Sequence, residues 1–189
     1  MSSSTPDRFP SVMLSQGAVS RLRMREEKPE EALIVLGCPE VPVQQALSLY
    51  TADRLNDDGW RLTITGNPAV LNLLRVSDPK KVYIRELVEL ERCIDELSSG
   101  GRIPGLAIVF VHSDAGISYA STIRFLLSGR VVACVFGRDA DTLAAELADI
   151  FADHHAADPV ALSELVVDPA VHNPGKIRRK LDLAMGWAR

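Results

Sequence analysis

From residue 31 to the end of the chain, short hydrophobic runs alternate with segments in which apolar residues have the spacing of a helix. Short runs of apolar or β-branched residues predict strands; these are Ala32–Leu36, Arg61–Thr65, Leu106–Val111, Val131–Phe136 and Ser163–Val167. The first run is apolar throughout, as expected for a strand that is covered on both faces. Between the runs, apolar residues recur three or four positions apart, as on one face of a helix. The predicted helices are Pro42–Asn56, Pro68–Leu74, Arg85–Leu97, Gly116–Leu127, Ala140–Phe151 and Pro174–Trp187.

Alternation of strands and helices with short connections predicts one fold class. Right-handed crossovers place successive parallel strands in one sheet and put the helices on its faces. We therefore predict a three-layer α/β/α sandwich around a mainly parallel, doubly wound (Rossmann- or flavodoxin-like) sheet of about five or six strands. In such sheets, ligands bind beyond the carboxyl ends of the strands, near the point where the strand order reverses.

The first 30 residues differ from the rest. Ser2–Pro6 is polar turn material and Arg21–Glu31 is rich in charge, so residues 1–30 are predicted to form a mobile or peripheral N-terminal tail. Residues 31–189 are predicted to form a single α/β domain, for which a chain of 189 residues is long enough.

Composition narrows the classes of function. Twenty-one basic against 25 acidic residues give a formal charge of −4, which argues against nucleic-acid binding. No apolar run approaches the roughly 20 residues of a membrane helix, and the N-terminus lacks the apolar segment of a secretion signal. We therefore expect a cytoplasmic protein that is not embedded in a membrane.

Several familiar site motifs are missing from the chain. Neither GxGxxG nor GxxxxGK[ST] occurs, which disfavours ordinary dinucleotide and P-loop sites. The three cysteines are scattered and form no CxxC pair, which argues against a disulfide scaffold and a structural zinc site. No spacing of ligand residues predicts a metal, and the sequence leaves the cofactor unknown.

The loop after the first predicted strand carries the most reactive side chain. Gly37-Cys38-Pro39-Glu40 leads into a helix, and the dipole at a helix N-terminus stabilises a thiolate. Cys38 is therefore a candidate catalytic nucleophile, redox switch or ligand contact. Packing of a small apolar thiol in a turn is the alternative, which the residues alone favour.

Polar residues follow the other predicted strands in the same way. The candidate ligand-binding residues at the strand ends are Gly37, Cys38, Pro39, Glu40, Gly66, Asn67, Ser113, Asp114, Arg138, Asp139, His172 and Asn173. Each has a structural alternative, since Gly and Asn form turns while Ser and Asp cap helices. Arg138 is a candidate partner for an anionic group, and His112 is a candidate acid, base or ligand.

Several short motifs occur in an order and spacing typical of one family. They are Ala32–Glu40 with Pro42–Gln44, Thr65–Ala69, Asp78–Pro79, Leu90–Glu91, Cys93–Ile94, Glu96–Leu97, Arg138–Asp141 and His172–Pro174. Over about residues 31–187 the chain resembles an archaeal family known from methanogens, the domain of unknown function 1890. Asp114 fits the family pattern, whereas His112 departs from it. The resemblance implies a mainly parallel three-layer α/β fold and a methanogenic setting, makes Cys38 and Asn67 part of a family motif, and implies no activity.

Three functions are open at this point. The first, which we prefer, is an accessory or regulatory protein of methanogenic metabolism that binds a small anionic ligand or a protein partner in the strand-end cleft around Cys38. A corrinoid-dependent methyl-transfer complex is one partner considered. The second is an enzyme or redox switch that uses Cys38 as a thiolate. The third is a structural homodimer without chemistry. This order favours a protein that is not an enzyme.

Overall fold

The computed structural model describes residues 30–157 and 162–188, which alternate between six strands and six helices. In chain order the elements are β1 Glu31–Val35, α1 Pro42–Asp57, β2 Arg61–Gly66, α2 Pro68–Ser77, β3 Glu86–Glu89, α3 Leu90–Ser98, β4 Leu106–Val111, α4 Asp114–Leu126, β5 Arg130–Phe136, α5 Ala140–Ala157, β6 Ser163–Asp168 and α6 Gly175–Met185. The predicted N-terminal tail lies outside the described residues, except for Glu30.

All strand pairs are parallel, and the order across the sheet is β3-β2-β1-β4-β5-β6. The chain winds outwards from β1 to β3, returns to place β4 beside β1, and winds outwards again to β6. The strand order therefore reverses between β1 and β4, where Ala32 lies opposite Leu106 and Val35 opposite Val109. The predicted α/β fold class, with its doubly wound parallel sheet, is confirmed.

Two hydrophobic cores, one on each face of the sheet, hold the helices. Ile34 of β1 belongs to the core shared with α1, α2 and α6. Its neighbours Leu33 and Val35 belong to the core shared with α3, α4 and α5. This alternation follows from the pleat of a strand that is buried on both faces. Of the helices in the two described ranges, none has the length and apolar composition needed to cross a membrane.

One predicted helix begins as a strand. The spacing of apolar residues predicts a helix over Arg85–Leu97, but β3 occupies Glu86–Glu89 before α3 begins at Leu90, so the first part of that prediction is wrong. The apolar side chain of Leu87 is compatible with a helix or a strand. In the structure Leu87 pairs with Ile64 of β2, so this segment is a strand. A four-residue edge strand is too short to show its own period in a sequence.

Helix α1 buries polar side chains. Gln44, Ser48 and Thr51 are buried, whereas Ala46, which the apolar pattern places in the core, is exposed. The three polar residues lie four and three positions apart and so share one face of the helix. The Ser48 hydroxyl donates to the carbonyl oxygen of Gln45 at 2.9 Å, and such local hydrogen bonds lower the cost of burial.

A network of ion pairs, partly buried, lies at the amino end of the sheet. Glu31, the first residue of β1, accepts hydrogen bonds from Arg61 at 2.8 Å and from Arg102. Arg102 also pairs with Glu96 at 3.0 Å and with Glu86 at 3.4 Å. Since Arg102 and Glu31 are both largely buried, each charge needs the other as a partner. The network lies at the opposite end of the strands from the reversal-point loops, and we assign it to stability.

Candidate ligand-binding site at the sheet edge

The loops after β1 and β4 meet at the point where the strand order reverses. Gly37 follows β1 by two residues, and His112 follows β4 directly. A Cβ atom added to Gly37 would lie 3.2 Å from Nε2 of His112, so the missing side chain lets the imidazole approach the turn closely. The loops that the sequence analysis singled out after these two strands are therefore in contact.

Two side chains hold the peptide groups of the Gly37–Cys38 turn. Nε2 of His112 lies 2.8 Å from the carbonyl oxygen of Cys38. From the first turn of α1, Nε2 of Gln44 donates to the carbonyl oxygens of Gly37 at 3.3 Å and of Cys38 at 3.2 Å. Gln44 is only 1% exposed, and its Oε1 has no hydrogen-bond partner among the described residues. The turn is thus held by β4 on one side and by α1 on the other.

The contact with Cys38 determines which nitrogen of His112 is available. A carbonyl oxygen only accepts hydrogen bonds, so Nε2 of His112 carries a proton. In the neutral ring Nδ1 is then an acceptor, and no described residue donates to it. The ring centroid lies 5.6 Å from that of Phe136, with 32° between the planes, which restrains the orientation of the imidazole. His112 therefore offers one unused nitrogen.

A cleft of about 360 Å³ opens beside His112, between the start of α4 and the first turns of α5. Its lining residues are His112, Ser113, Asp114, Asp139, Thr142, Leu143 and Glu146. Three of them are carboxylates, and neither lysine nor arginine is among these described lining residues. Within the described part of the chain, no group of three or more His, Cys, Asp or Glu side chains is arranged to hold a metal ion. The polar lining of the cleft therefore consists mainly of hydrogen-bond acceptors.

Cys38 is exposed at the rim of the turn, beside Asn67 from the loop after β2. Nδ2 of Asn67 lies 3.3 Å from Sγ of Cys38, within hydrogen-bonding distance of a sulfur acceptor. The other end of the same amide caps α2, because Oδ1 of Asn67 accepts from the N–H of Val70 at 2.9 Å. The cap fixes the amide so that its donor stays directed at the thiol.

The first turn of α1 offers Cys38 fewer free N–H donors than the sequence predicts. Cys38 lies four residues before the first helical residue, Pro42, which has no N–H to donate. The next two N–H groups are already used: Val43 donates to the carbonyl oxygen of Val171 at 3.1 Å, and Gln44 to that of Val41 at 3.0 Å. Asn67, rather than the first turn of α1, is therefore the donor beside the sulfur.

The remaining candidates are distributed around this edge. Ser113 and Asp114 lie at the start of α4, where Ser113 is the N-cap residue but its side chain makes no capping hydrogen bond. Gly66 is required by packing, since a Cβ atom there would lie 2.6 Å from Cγ1 of Val70. Exposed candidates that do not line the described cleft are Pro39, Glu40, Arg138, His172 and Asn173.

Asn173 has a structural role in the loop after β6. Its Oδ1 accepts from the N–H of Gly175 at 2.9 Å, where α6 begins. The same loop contacts the loop after β5, because the carbonyl oxygen of Ala170 accepts a hydrogen bond from the N–H of Gly137 at 3.1 Å. Gly137 has a φ of +99°, a conformation that glycine adopts without strain, and it lies beside the Cβ of His112.

Three polar residues of the site, Gln44, Thr142 and Glu146, are not among the candidates predicted from the sequence. Gln44 was hidden because it occupies a position among apolar residues of α1, and a buried amide at helical spacing from Ser48 and Thr51 is the signal that reveals it. Thr142 and Glu146 lie one turn apart in α5 and line the cleft. Their four-residue spacing places them on one helix face, but only the packing of α5 against α4 shows that this face borders a cleft.

The other two thiols are structural. Cys93 and Cys134 are fully buried. Burial raises the pKa of the Cys93 thiol to about 11 and that of the Cys134 thiol to about 12, because a thiolate is poorly solvated in an apolar core.

Comparison with known proteins identifies the family of the chain. The family described as domain of unknown function (DUF1890) matches residues 33–184. The chain belongs to this family. An uncharacterized protein of Methanocaldococcus jannaschii, MJ0452, is 34% identical over 108 residues, which cover 56% of this chain and 70% of the relative. This DUF1890 protein therefore has a relative in a methanogenic archaeon, and the predicted family resemblance is confirmed.

The same fold is present in solved structures. The structure of MT0777 matches with a TM-score of 0.72 and 38% sequence identity, covering 85% of this chain and 99% of that chain. The crystal structure of the CurK enoyl reductase matches with a TM-score of 0.42 and 14% identity, over 85% of this chain and 44% of that chain. The TM-score of the enoyl reductase match is too low to support any conclusion about this chain. The MT0777 match supports the α/β architecture of this DUF1890 protein.

Proposed function

We propose that this DUF1890 protein binds a small polar ligand at the carboxyl edge of its sheet, in the cleft between α4 and α5, and acts as an accessory or regulatory protein. The single observation that carries the proposal is the position of His112. Its Nε2 donor is used to hold the Gly37–Cys38 turn, while the same ring lines the cleft and keeps Nδ1 unused. A ligand bound to Nδ1 is thereby coupled to the turn that carries Cys38.

The lining of the cleft defines the chemistry of the ligand. Asp114, Asp139 and Glu146 supply carboxylate oxygens, and Thr142 supplies a hydroxyl. Such a set favours a ligand with several N–H or O–H donors, or with an amine cation, over the small anion that the sequence analysis predicts. Arg138, the predicted anion partner, is exposed and lies outside the cleft lining. We therefore propose a small polyol, amine or amide-bearing metabolite as the ligand class.

The biological partner is a further part of the proposal. A role in methanogenic metabolism rests on the family and on its relative in Methanocaldococcus jannaschii. A corrinoid-dependent methyl-transfer complex as partner rests on analogy with other parallel α/β sheets and stays a prediction. Assembly into a homodimer also stays a prediction. Light scattering with and without the ligand tests the assembly, and affinity capture from a methanogen extract tests the partner.

Calorimetry with matched variants tests ligand binding. Hits from a thermal-shift screen of amines, polyols and amides are titrated into the native chain and into Glu146→Gln, which removes one cleft carboxylate. Asp149→Asn is the control, because Asp149 is an exposed acid of the same helix outside the cleft lining. We expect roughly tenfold weaker binding to Glu146→Gln and unchanged binding to Asp149→Asn. Equal affinities for all three chains, or no hit from the screen, would contradict the proposal.

A second candidate function is a redox switch at Cys38. The observation in its favour is the pairing of an exposed thiol with the amide of Asn67, 3.3 Å away and fixed by its capping role. The amide N–H hydrogen-bonds the sulfur and holds the exposed thiol at the rim of the turn. Trapping of a sulfenic acid with dimedone after brief peroxide treatment tests this candidate. It predicts labelling of Cys38 that falls in Asn67→Ala, and absence of labelling would exclude it.

A further inference from the structure

A second cavity lies far from the candidate site, at the opposite end of the strands beside the edge strand β3. It has a volume of about 340 Å³ and is bordered by the end of α2, the following loop and the start of β3. Its lining residues are Arg75, Asp78, Pro79, Lys81, Ile84, Arg85 and Leu87. Three cations and one carboxylate therefore face a partly apolar floor, which is the reverse of the charge pattern in the α4–α5 cleft.

The single carboxylate of this cavity is already engaged. Oδ1 of Asp78 accepts from the N–H of Val82 at 2.8 Å, and Oδ2 accepts from the N–H groups of Tyr83 and Ile84, each at 2.8 Å. Burial raises the pKa of the Asp78 carboxyl, but these N–H donors and the charge of Arg85 outweigh burial and hold the pKa below its ordinary value. Asp78 thus organises the loop as an anion, and its single charge balances at most one of the three cations.

The cations of this cavity differ from the arginines that pair with carboxylates along the amino end of the sheet. Arg61, Arg102 and Arg130 each contact a carboxylate at the amino end of the sheet. Within the described residues, Lys81 and Arg85 make no ion pair, and the guanidinium of Arg75 has only the neutral side chain of Asn72 as its partner, at 2.8 Å. Three cations and one carboxylate leave a net positive charge around the cavity, which favours a bound anion.

The backbone conformation at Lys81 is unusual for a residue with a side chain. Lys81 is the only described residue other than glycine with a positive φ, +52°, and its N–H donates to the carbonyl oxygen of Asp78 at 3.0 Å. A lysine pays a small conformational cost in this region that glycine would avoid. The Asp78-centred hydrogen bonds therefore fix a loop whose geometry suits glycine but which carries a cation.

We propose that Arg75, Lys81 and Arg85 form a binding site for a small organic anion that carries a phosphate or carboxylate group. Arginine forks bind the anionic oxygens in pairs, and the lysine ammonium adds a third contact. Ile84, Leu87 and Pro79 give the rest of the ligand an apolar surface. The site shares no lining residue with the α4–α5 cleft.

Titration calorimetry at low ionic strength, with inorganic pyrophosphate and with citrate as probes, tests the site. The variants are Arg85→Gln and Lys81→Gly, the second of which removes the cation and suits the backbone at that position. The control is Lys176→Gln with Arg179→Gln, since these exposed cations of α6 make no ion pair among the described residues. Thermal unfolding of each variant verifies that it is folded.

We expect saturable one-to-one binding of at least one probe to the native chain. Each single variant should lower the affinity roughly three- to fivefold, and the double variant Lys81→Gly/Arg85→Gln by about tenfold or more, while the α6 control binds like the native chain. A preference for pyrophosphate or for citrate would identify the ligand as a phosphate or a carboxylate. Saturable binding of neither probe, an equal loss in the control, or no loss in the double variant would overturn the proposal.

Discussion

Nε2 of His112 lies 2.8 Å from the carbonyl oxygen of Cys38, so a side chain at the end of β4 fixes the turn that follows β1. The two strands are neighbours at the reversal point of a parallel sheet, the position where such sheets bind ligands. One imidazole therefore joins the cysteine-bearing turn to the α4–α5 cleft. The first two predictions concern this connection.

Replacing His112 by alanine should loosen the turn. His112→Ala removes the donor to the Cys38 carbonyl, which costs about 1 kcal/mol of stability for a partly exposed hydrogen bond. The amides around Cys38 should then exchange with solvent faster, as measured by hydrogen–deuterium exchange and mass spectrometry. His112→Gln is the control, since its amide can donate to the same carbonyl. Equal protection of the turn in the native and alanine chains would contradict the role of His112.

Replacing Gln44 should destabilise the Gly37–Cys38 turn, because its amide donates to both carbonyl oxygens of the turn. Gln44→Leu leaves the carbonyl oxygens of Gly37 and Cys38 without this donor and should lower the free energy of unfolding by about 1–2 kcal/mol. Gln44→Glu should cost about 3 kcal/mol or more at neutral pH, because a buried carboxylate would face two carbonyl oxygens.

Urea unfolding at two pH values measures the difference between these variants. In Gln44→Glu the folded state favours the protonated carboxyl, which again donates to a carbonyl, so the extra loss should shrink as the pH falls. A glutamate variant as stable as the leucine variant at neutral pH would show that Gln44 does not hold the turn.

The fold was predictable because its strongest signals are long. Continuous apolar runs such as Leu106–Val111 and Val131–Phe136 have few alternatives to a strand buried on both faces. The edge strand β3 was missed because four residues with mixed exposure carry no such signal. The order of strands also lies beyond the sequence pattern, since the position of β4 beside β1 depends on the path of a crossover.

The candidate site was predictable only in its location. The rule that ligands bind at the carboxyl ends of parallel strands selected the loops of Cys38, Asn67 and His112, and these three residues are linked by contacts. Gln44, Thr142 and Glu146 lie inside helices, where a polar residue usually faces solvent. Their contribution depends on how α1 and α5 pack, which no local pattern encodes.

The three cysteines should differ strongly in reactivity. Cys38 is exposed, whereas Cys93 and Cys134 are fully buried, with pKa values raised to about 11 and about 12. Since the thiolate is the reactive form, brief treatment of the native chain with iodoacetamide at neutral pH should label Cys38 alone. Peptide mass spectrometry locates the label, and the urea-unfolded chain is the control in which all three react. Labelling of Cys93 at the rate of Cys38 would contradict the described core.

The network around Arg102 should make stability sensitive to acid. The hydrogen bond from Thr63, with help from Arg102, holds the pKa of Glu86 below its ordinary value, and hydrogen bonds from Arg92 and Arg102 do the same for Glu96. Because the folded chain binds these protons less readily than the unfolded chain, stability is present above the ordinary pKa of 4.5 and is lost as the pH falls below it.

Arg102→Gln tests this network. At neutral pH the variant should lose about 3 kcal/mol, because it leaves the buried Glu31 with Arg61 alone. Its further loss of stability on acidification should be smaller than that of the native chain, as measured by urea unfolding from pH 7 to pH 3. Arg92→Gln, at an exposed arginine of the same network, is the control and should cost less than 1 kcal/mol. Identical acid dependence in the native and Arg102→Gln chains would contradict this assignment.

Native mass spectrometry of the chain, purified anaerobically from cells that express it naturally, shows whether a ligand occupies the cleft beside His112. We expect a small non-covalent adduct on the native protein and on Asp149→Asn, and its loss from a chain that carries both His112→Ala and Asp139→Asn. A bare native chain, or the same adduct on all three proteins, would show that the cleft beside His112 is not the ligand site.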